Sequence, residues 1–317
     1  MTTALPTLID ALIGRLLDGY IFPARSEAAA HLLRSQLEAG AYPPTVGPEL
    51  CERLSADLLR ATDDKHLRLI WHDSAERSQD DVELINELRE RFRRENHGVR
   101  CVEWMPGNIG VIELTVIPEL AFAGPTLAAA MQMVQHTEAL ILDLRPTIGG
   151  SPDAVTFLAS FLFPDGETRL SDIVEGPAGP ARQFWTAAHL PGPRYLHRDV
   201  YALTGPNTFS GGESLAYDLQ ALGRATIVGE VTRGGAHPSE VVSLAEHVEL
   251  RLPTARPVSP ITGGNWERVG VQPDVRVAAS DALAVAYSLA LEAIADNSSN
   301  AEASRDEAAH AASSHSQ

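Results

Sequence analysis

Apolar residues recur at helical spacing from the start of the chain. Leu5, Leu8, Ile9, Leu12, Ile13, Leu16 and Leu17 share one face up to Gly19, which predicts an amphipathic helix. The same periodicity predicts helices over roughly 26–40 and 47–63, parted by Tyr42-Pro43-Pro44. At LRLIW (67–71) the pattern changes to that of a strand. Charge then dominates up to residue 98 (ERSQDDVELINELRERFRRE), with Val82, Leu84, Ile85 and Leu88 as a thin apolar stripe, so a solvated helix or linker is expected there. From Cys101 onward short apolar strands alternate with helices: VEWM, IGVIELT, a helix around 125–136, ALILDL, a helix around 152–162, DVYALT, a helix opening near Ser210, and ATIVG. Such alternation implies parallel strands with crossover helices. VELRLPT (248–254) adds a late strand and residues 280–295 a last helix, and the polar tail is expected to stay disordered. The predicted layout is an N-terminal helical domain over 1–75 that runs into the strand following His66, a charged helix or linker over 76–98, an α/β domain over 99–295, and a tail over 296–317.

Composition narrows the class of protein. The 317 residues are 44% apolar, enough for a substantial core. With 25 basic against 42 acidic residues the formal charge is -17, which repels phosphate backbones and excludes nucleic acid as a partner. No stretch approaches the roughly 18 apolar residues of a membrane span, and the first residues do not pattern as a leader, so no membrane insertion and a cytoplasmic location are expected. Cys51 and Cys101 offer neither a disulfide framework nor a metal clip, and no metal or other cofactor is expected.

Two glycine turns carry the candidate chemistry. The strand Val200–Leu203 leads through TGPN to Thr208-Phe209-Ser210, and Ser210 opens a helix with Gly211 and Gly212. There its hydroxyl either caps the helix or acts as a nucleophile, because a helix start with glycine neighbours also supplies amides for an oxyanion. Thr208 occupies the first glycine position of the GxSxG elbow, so this is not an α/β-hydrolase turn. The second turn, DLRPTIGGSP (143–152), follows the strongest strand. It is either an ordinary strand-to-helix connection or the source of a second oxyanion amide from Gly149 or Gly150.

The segments ALILDLRPTIGGSP, TFSGGE, GRATIVGEVTRGGAHP and PITGGNWERVGVQPDV occur in an order and spacing that resemble the tail-specific (C-terminal-processing) serine peptidases. They are most similar to the branch holding the tricorn protease core and the repeats of interphotoreceptor retinoid-binding protein. The resemblance implies an α/β fold with a crotonase-like (ClpP-like) ββα superhelix core, preceded by a small helical domain. The segment between the helical domain and the next strand leaves no room for a PDZ module.

The resemblance also implies roles. Some relatives activate the serine with a lysine, but its position here is Gly235, and the neighbouring Arg233 keeps its proton. The tricorn branch implies Ser210 as nucleophile, His66 as general base and Glu267 as its orienting acid, with Gly211 and Gly149 or Gly150 holding the oxyanion. His237 is the rival base or a substrate contact, and Ile148, Phe209 and Trp266 are candidates to line the pocket. Ile148 stands where many relatives carry glycine and is expected to narrow the space beside the oxyanion. Glu230 and Asp274 are read as structural, and Asp143 with Arg145 as an ion pair. The implied activity is peptide-bond hydrolysis through an acyl-enzyme. An esterase, or a binding protein for a hydrophobic small molecule or peptide, uses the same scaffold. The partner is a peptide or protein substrate, and relatives of the fold also associate as homo-oligomers.

Overall fold

A computed structural model of the chain describes residues 4–73, 81–297 and 302–315. The three helices anticipated at the start form as α1 (Leu5–Gly19), α2 (Pro23–Glu38) and α3 (Pro48–Thr62). Each has a proline in its first turn, where the missing N–H has no helical partner to lose. The strand β1 (Arg68–Trp71) follows, and the charged stretch contributes α4 (Asp81–Arg94). Residues 74–80 of that stretch lie outside the described residues. Next come β2 (Val99–Met105), β3 (Ile109–Leu114), α5 (Leu120–Met133), β4 (Ala139–Asp143), α6 (Pro152–Ser160), β5 (Arg169–Glu175) and β6 (Ala181–Trp185). The chain continues with β7 (Asp199–Thr204), α7 (Gly211–Ala221), β8 (Thr226–Gly229), β9 (Ser239–Ala245), β10 (Val248–Pro253), β11 (Ala255–Val258), β12 (Val275–Arg276), α8 (Ala282–Asp296) and α9 (Glu302–His315). No helix among the described residues is long and apolar enough to cross a membrane.

The chain divides into two units. The first comprises residues 1–84, 172–182 and 235–258. Segments from inside the range 99–295, expected to form one domain, therefore belong to it, because β9 and β10 pair with β1 in an antiparallel sheet of order β1-β10-β9. Leu8, Ile9, Leu12 and Leu16 of α1, Leu33 of α2 and Leu50, Leu54 and Leu58 of α3 pack with Leu69, Val248 and Leu250 of that sheet. Each such fully buried aliphatic side chain contributes about 1.5–3 kcal/mol of transfer free energy.

The second unit comprises residues 85–171, 183–234 and 259–317. Its six-stranded sheet has the order β12-β8-β7-β4-β3-β2, parallel throughout except for β2 on β3. All five residues of β4 are buried, as a central parallel strand covered on both faces requires. The loops after β4 and β7 leave the carboxyl edge of this sheet, the edge at which open α/β sheets bind ligands. Ala286, Ala290 and Leu291 of α8 cover Ile141, Leu203 and Val228.

The tail expected to be disordered carries helix α9 instead, and Ala308 and Ala311 join the same core. Its polar composition hid the small apolar face. Gly107 N–H donates to Glu307 at 3.2 Å, and Ser304 Oγ donates to Glu138 at 3.1 Å, which adds specific ties to that thin apolar contact.

Candidate active site

Ser210 takes φ 51° and ψ -114° at the start of α7. A side chain in that region costs roughly 1–3 kcal/mol, so surrounding bonds must hold it there. Phe209 N–H donates to Thr147 O at 2.9 Å, and Ser214 N–H to Ser210 O at 2.9 Å. The Ser210 N–H donates to Glu213 Oε2 at 2.8 Å. Glu213 is fully buried, and its other oxygen accepts the Thr232 hydroxyl at 2.5 Å and Gly234 N–H at 2.6 Å. One carboxylate thus fastens the serine turn to the Thr232–Gly234 loop. The sequence reading did not single out Glu213, although Ser-x-x-Glu at a helix start is a capping-box signature.

Backbone approaches around Ser210 explain the glycines. A Cβ on Gly211 would lie 2.5 Å from Gly150 N, and one on Gly212 would lie 2.8 Å from Thr147 Cγ2. Gly149 has φ 150°, and a Cβ there would stand 3.5 Å from Ser210 Cβ. Gly150 sits against Ile117, to which it forms a parallel bridge, with Ser151 N–H donating to Ile117 O at 2.8 Å. The two glycine turns read from the sequence are therefore pressed together, and Gly149, Gly150, Ser210 and Gly211 are brought into one place. Such a cluster of backbone amides beside a helix start suits a developing oxyanion.

Ile148 stands beside Gly149 in the first glycine turn. Its amide is committed to Thr115 O at 2.9 Å, and its side chain is 62% exposed, so the glycine-only conformation falls on Gly149 instead. The side chain borders an open hollow of about 590 Å³ shared with Phe92, Arg100 and Val116. Phe209 and Trp266 are both buried. The Arg233 guanidinium lies 4.8 Å from the Phe209 ring centre, and Trp266 packs against Tyr217 at 5.4 Å. Asp143 and Arg145 form a bidentate ion pair at 2.5 and 2.9 Å, as expected. Glu230 accepts Ala279 N–H and Asp274 accepts Ile227 N–H, both structural roles. Glu267 is half-buried, with its N–H on Asn265 Oδ1 at 2.8 Å.

The candidate histidines belong to the first unit, whereas Ser210, the glycines and Glu267 belong to the second. His66 is buried in the link between α3 and β1. Asp64, which the sequence reading passed over, joins both histidines: its Oδ1 accepts His66 N–H at 3.0 Å and its Oδ2 lies 2.8 Å from His237 Nδ1. Tyr20 donates its hydroxyl to the same Oδ2 at 3.0 Å. Burial by itself would raise the Asp64 carboxyl, but the hydrogen bond and charge of His237, helped by His66, hold it below its ordinary value. Burial, reinforced by Asp64, pushes the Tyr20 phenol far up, so it stays a donor. The edge of the His237 ring meets Phe22 at 5.2 Å.

Several solved structures share the fold. A lipoprotein from Streptococcus agalactiae aligns with 93% of this chain and 98% of its own at 15% identity and TM-score 0.61. The photosystem II D1 C-terminal processing protease aligns over 86% of this chain and 93% of its own, at 15% identity and TM-score 0.54. A candidate peptidase from Parabacteroides merdae ATCC 43184 covers 87% and 90%, at 18% identity and TM-score 0.61. Likeness at these identities speaks for the fold alone. The sequence model of peptidase family S41 matches residues 108–277, which include both glycine turns, Ser210 and Glu267. That match covers more than half of the chain, which therefore belongs to peptidase family S41 and is a serine-type peptidase.

Proposed function

We propose that the protein hydrolyses peptide bonds through an acyl-enzyme on Ser210, with His66 as general base, Glu267 orienting it, and the amides of Gly211 and Gly149 or Gly150 receiving the oxyanion. The observation that carries this reading is the strained Ser210 backbone at the start of α7, with Gly149 beside its side chain and Gly150 close against Gly211. A serine serving only to cap a helix has an extended backbone and no need of that strain.

In the first step the Ser210 hydroxyl proton passes to the imidazole as Oγ bonds to the substrate carbonyl carbon. The carbonyl π pair moves to oxygen, where the amides receive it. Collapse re-forms the carbonyl and breaks the C–N bond, and the imidazolium returns the proton to the leaving amine. Water then repeats the sequence on the ester, giving the carboxylic acid and free Ser210. Histidine suits the shuttle because its ordinary pKa lies near 6.5. The resemblance to the tricorn and retinoid-binding branch supports His66 and Glu267 in these roles, and the resemblance to the tail-specific peptidases as a whole supports a tail-specific activity on peptides.

The test is labelling with a fluorophosphonate at neutral pH, read by mass spectrometry, alongside hydrolysis of a peptide library and of simple esters. Wild type should carry one adduct on Ser210, Ser210→Ala none, and His66→Ala a rate lowered by about 10²-fold or more. An unlabelled wild type that hydrolyses nothing would sink the proposal. Turnover of esters without peptides would move it to the esterase class.

A further inference from the structure

We infer that Asp64 is a positioning residue for His66, locked in place by Tyr20 and His237. This rests on the assignment of His66 as the base. Helix α3 ends at Thr62, Asp63 turns with φ 53°, and β1 starts at Arg68, so His66 sits in a short link with no regular ladder to hold it. One tie on it is the carboxylate two residues earlier, whose Oδ1 closes a turn by accepting the His66 backbone N–H at 3.0 Å. Leu67, 1% exposed, pins the other side of the histidine in the core.

A turn closed by a side chain is only as firm as that side chain. Asp64 is fully buried, and a buried carboxylate is tolerated when donors satisfy it. Its Oδ2 has two, the Tyr20 hydroxyl at 3.0 Å and His237 Nδ1 at 2.8 Å. A carboxylate only accepts, so the His237 nitrogen facing it carries the proton. Among the described residues of the first unit, Tyr20, His66 and His237 donate to Asp64, and Arg25 is fixed nearby on Thr62 O at 2.9 Å. Tyr20 closes α1 and His237 precedes β9, so distant segments converge to fix one rotamer. With Nδ1 engaged by Asp64 and its ring against Phe22, His237 has a structural task that accounts for its burial.

The experiment compares kcat and KM on one peptide substrate for wild type, Asp64→Ala, Asp64→Asn, Tyr20→Phe and His66→Ala. Misplacing a reacting group by an ångström costs on the order of 10²-fold, so Asp64→Ala should lose about that much in kcat, with KM within about twofold. Asp64→Asn keeps an oxygen for the His66 N–H and should recover to within about tenfold of wild type. Tyr20→Phe should lose about threefold. An inactive His66→Ala beside an Asp64→Ala of wild-type kcat overturns the inference while leaving the base assignment standing. Asn and Ala variants that fall equally, with KM rising in step, also overturn it, since that pattern marks general structural damage. An active His66→Ala removes the base assignment and this inference together. Should Asp64→Ala fail to fold, Asp64→Asn and Tyr20→Phe decide, and wild-type kcat in both overturns it.

Discussion

Two aspartates show how differently the two units handle buried charge. Asp64 in the first unit is 0% exposed and Asp218 in the second is 3% exposed. Three donors surround Asp64, and although burial works against it, the His237 hydrogen bond and charge keep the carboxylate ionised. Asp218 lies on α7 two turns beyond Ser210. One oxygen has the Ser214 hydroxyl at 3.5 Å, and the other has no partner among the described residues. Burial therefore pushes its carboxyl well above the usual range, against only a weak opposing bond from Ser214. The first unit thus holds Asp64 with polar and aromatic side chains that need one another. The second builds the serine cradle from backbone and glycine, with the buried Glu213 as a carboxylate clamp. The two regions should accordingly fail in different ways: one when a partner is deleted, the other when a methyl group is added.

The largest effect expected from the second kind of failure is at Gly211. A Cβ there would stand 2.5 Å from Gly150 N, inside any real contact distance, so the two glycine turns must separate. Gly211→Ala should lower kcat by on the order of 10²-fold and cost about 1–3 kcal/mol in stability. Steady-state kinetics and a thermal melt check both. A variant with wild-type kcat would show that the cradle tolerates spreading, and the backbone-built description would fail. Glu213→Gln comes next. It keeps the shape but sets an amide against Ser210 N–H, Thr232 or Gly234 N–H, all of which donate. The loss of a charge-assisted acceptor should cost about 1.5–3 kcal/mol and loosen Ser210, which denaturant unfolding and the rate of fluorophosphonate labelling would report. Unchanged labelling would mean that the strain at Ser210 is held by the backbone alone.

The same contrast explains what the sequence discloses. The cradle was legible because its chemistry is local: a serine at a strand-to-helix junction, paired glycines after an apolar strand, and a spacing that identifies the family. Glu213 is equally local, the fourth residue of a Ser-x-x-Glu capping box whose acidic position is read from sequence alone. Asp64 was not legible, because its meaning depends on His237, 173 positions away, and Tyr20, 44 positions away. Nothing in the hydrophobic period announces such pairings. The discontinuous first unit was hidden for the same reason, since β9 and β10 complete a sheet begun by β1 and declare that partnership only in register. Helix α9 was missed because two alanines suffice for its buried face where α8 already supplies a surface.

The smallest effects test the comparison most directly, because the two aspartates should respond to pH with opposite sign. Asp218 holds its proton in the folded state after the unfolded chain has released it at the ordinary value of 3.8. It therefore costs stability increasingly as pH rises above that value. Asp218→Asn removes the titration, so the variant should be more stable than wild type near neutral pH, with the advantage shrinking as pH falls toward 3.8. Asp64 releases its proton more readily when folded, so its contribution is present above 3.8 and fades as pH falls through its depressed value. Asp64→Asn should therefore be less stable than wild type near neutral pH, and the deficit should close only in the more acidic range. Urea midpoints for the three proteins at neutral, mildly acidic and strongly acidic pH separate these outcomes. Parallel curves for both variants would mean that the two acids share one kind of environment, and the distinction between a wired carboxylate and a sequestered acid would have to be given up.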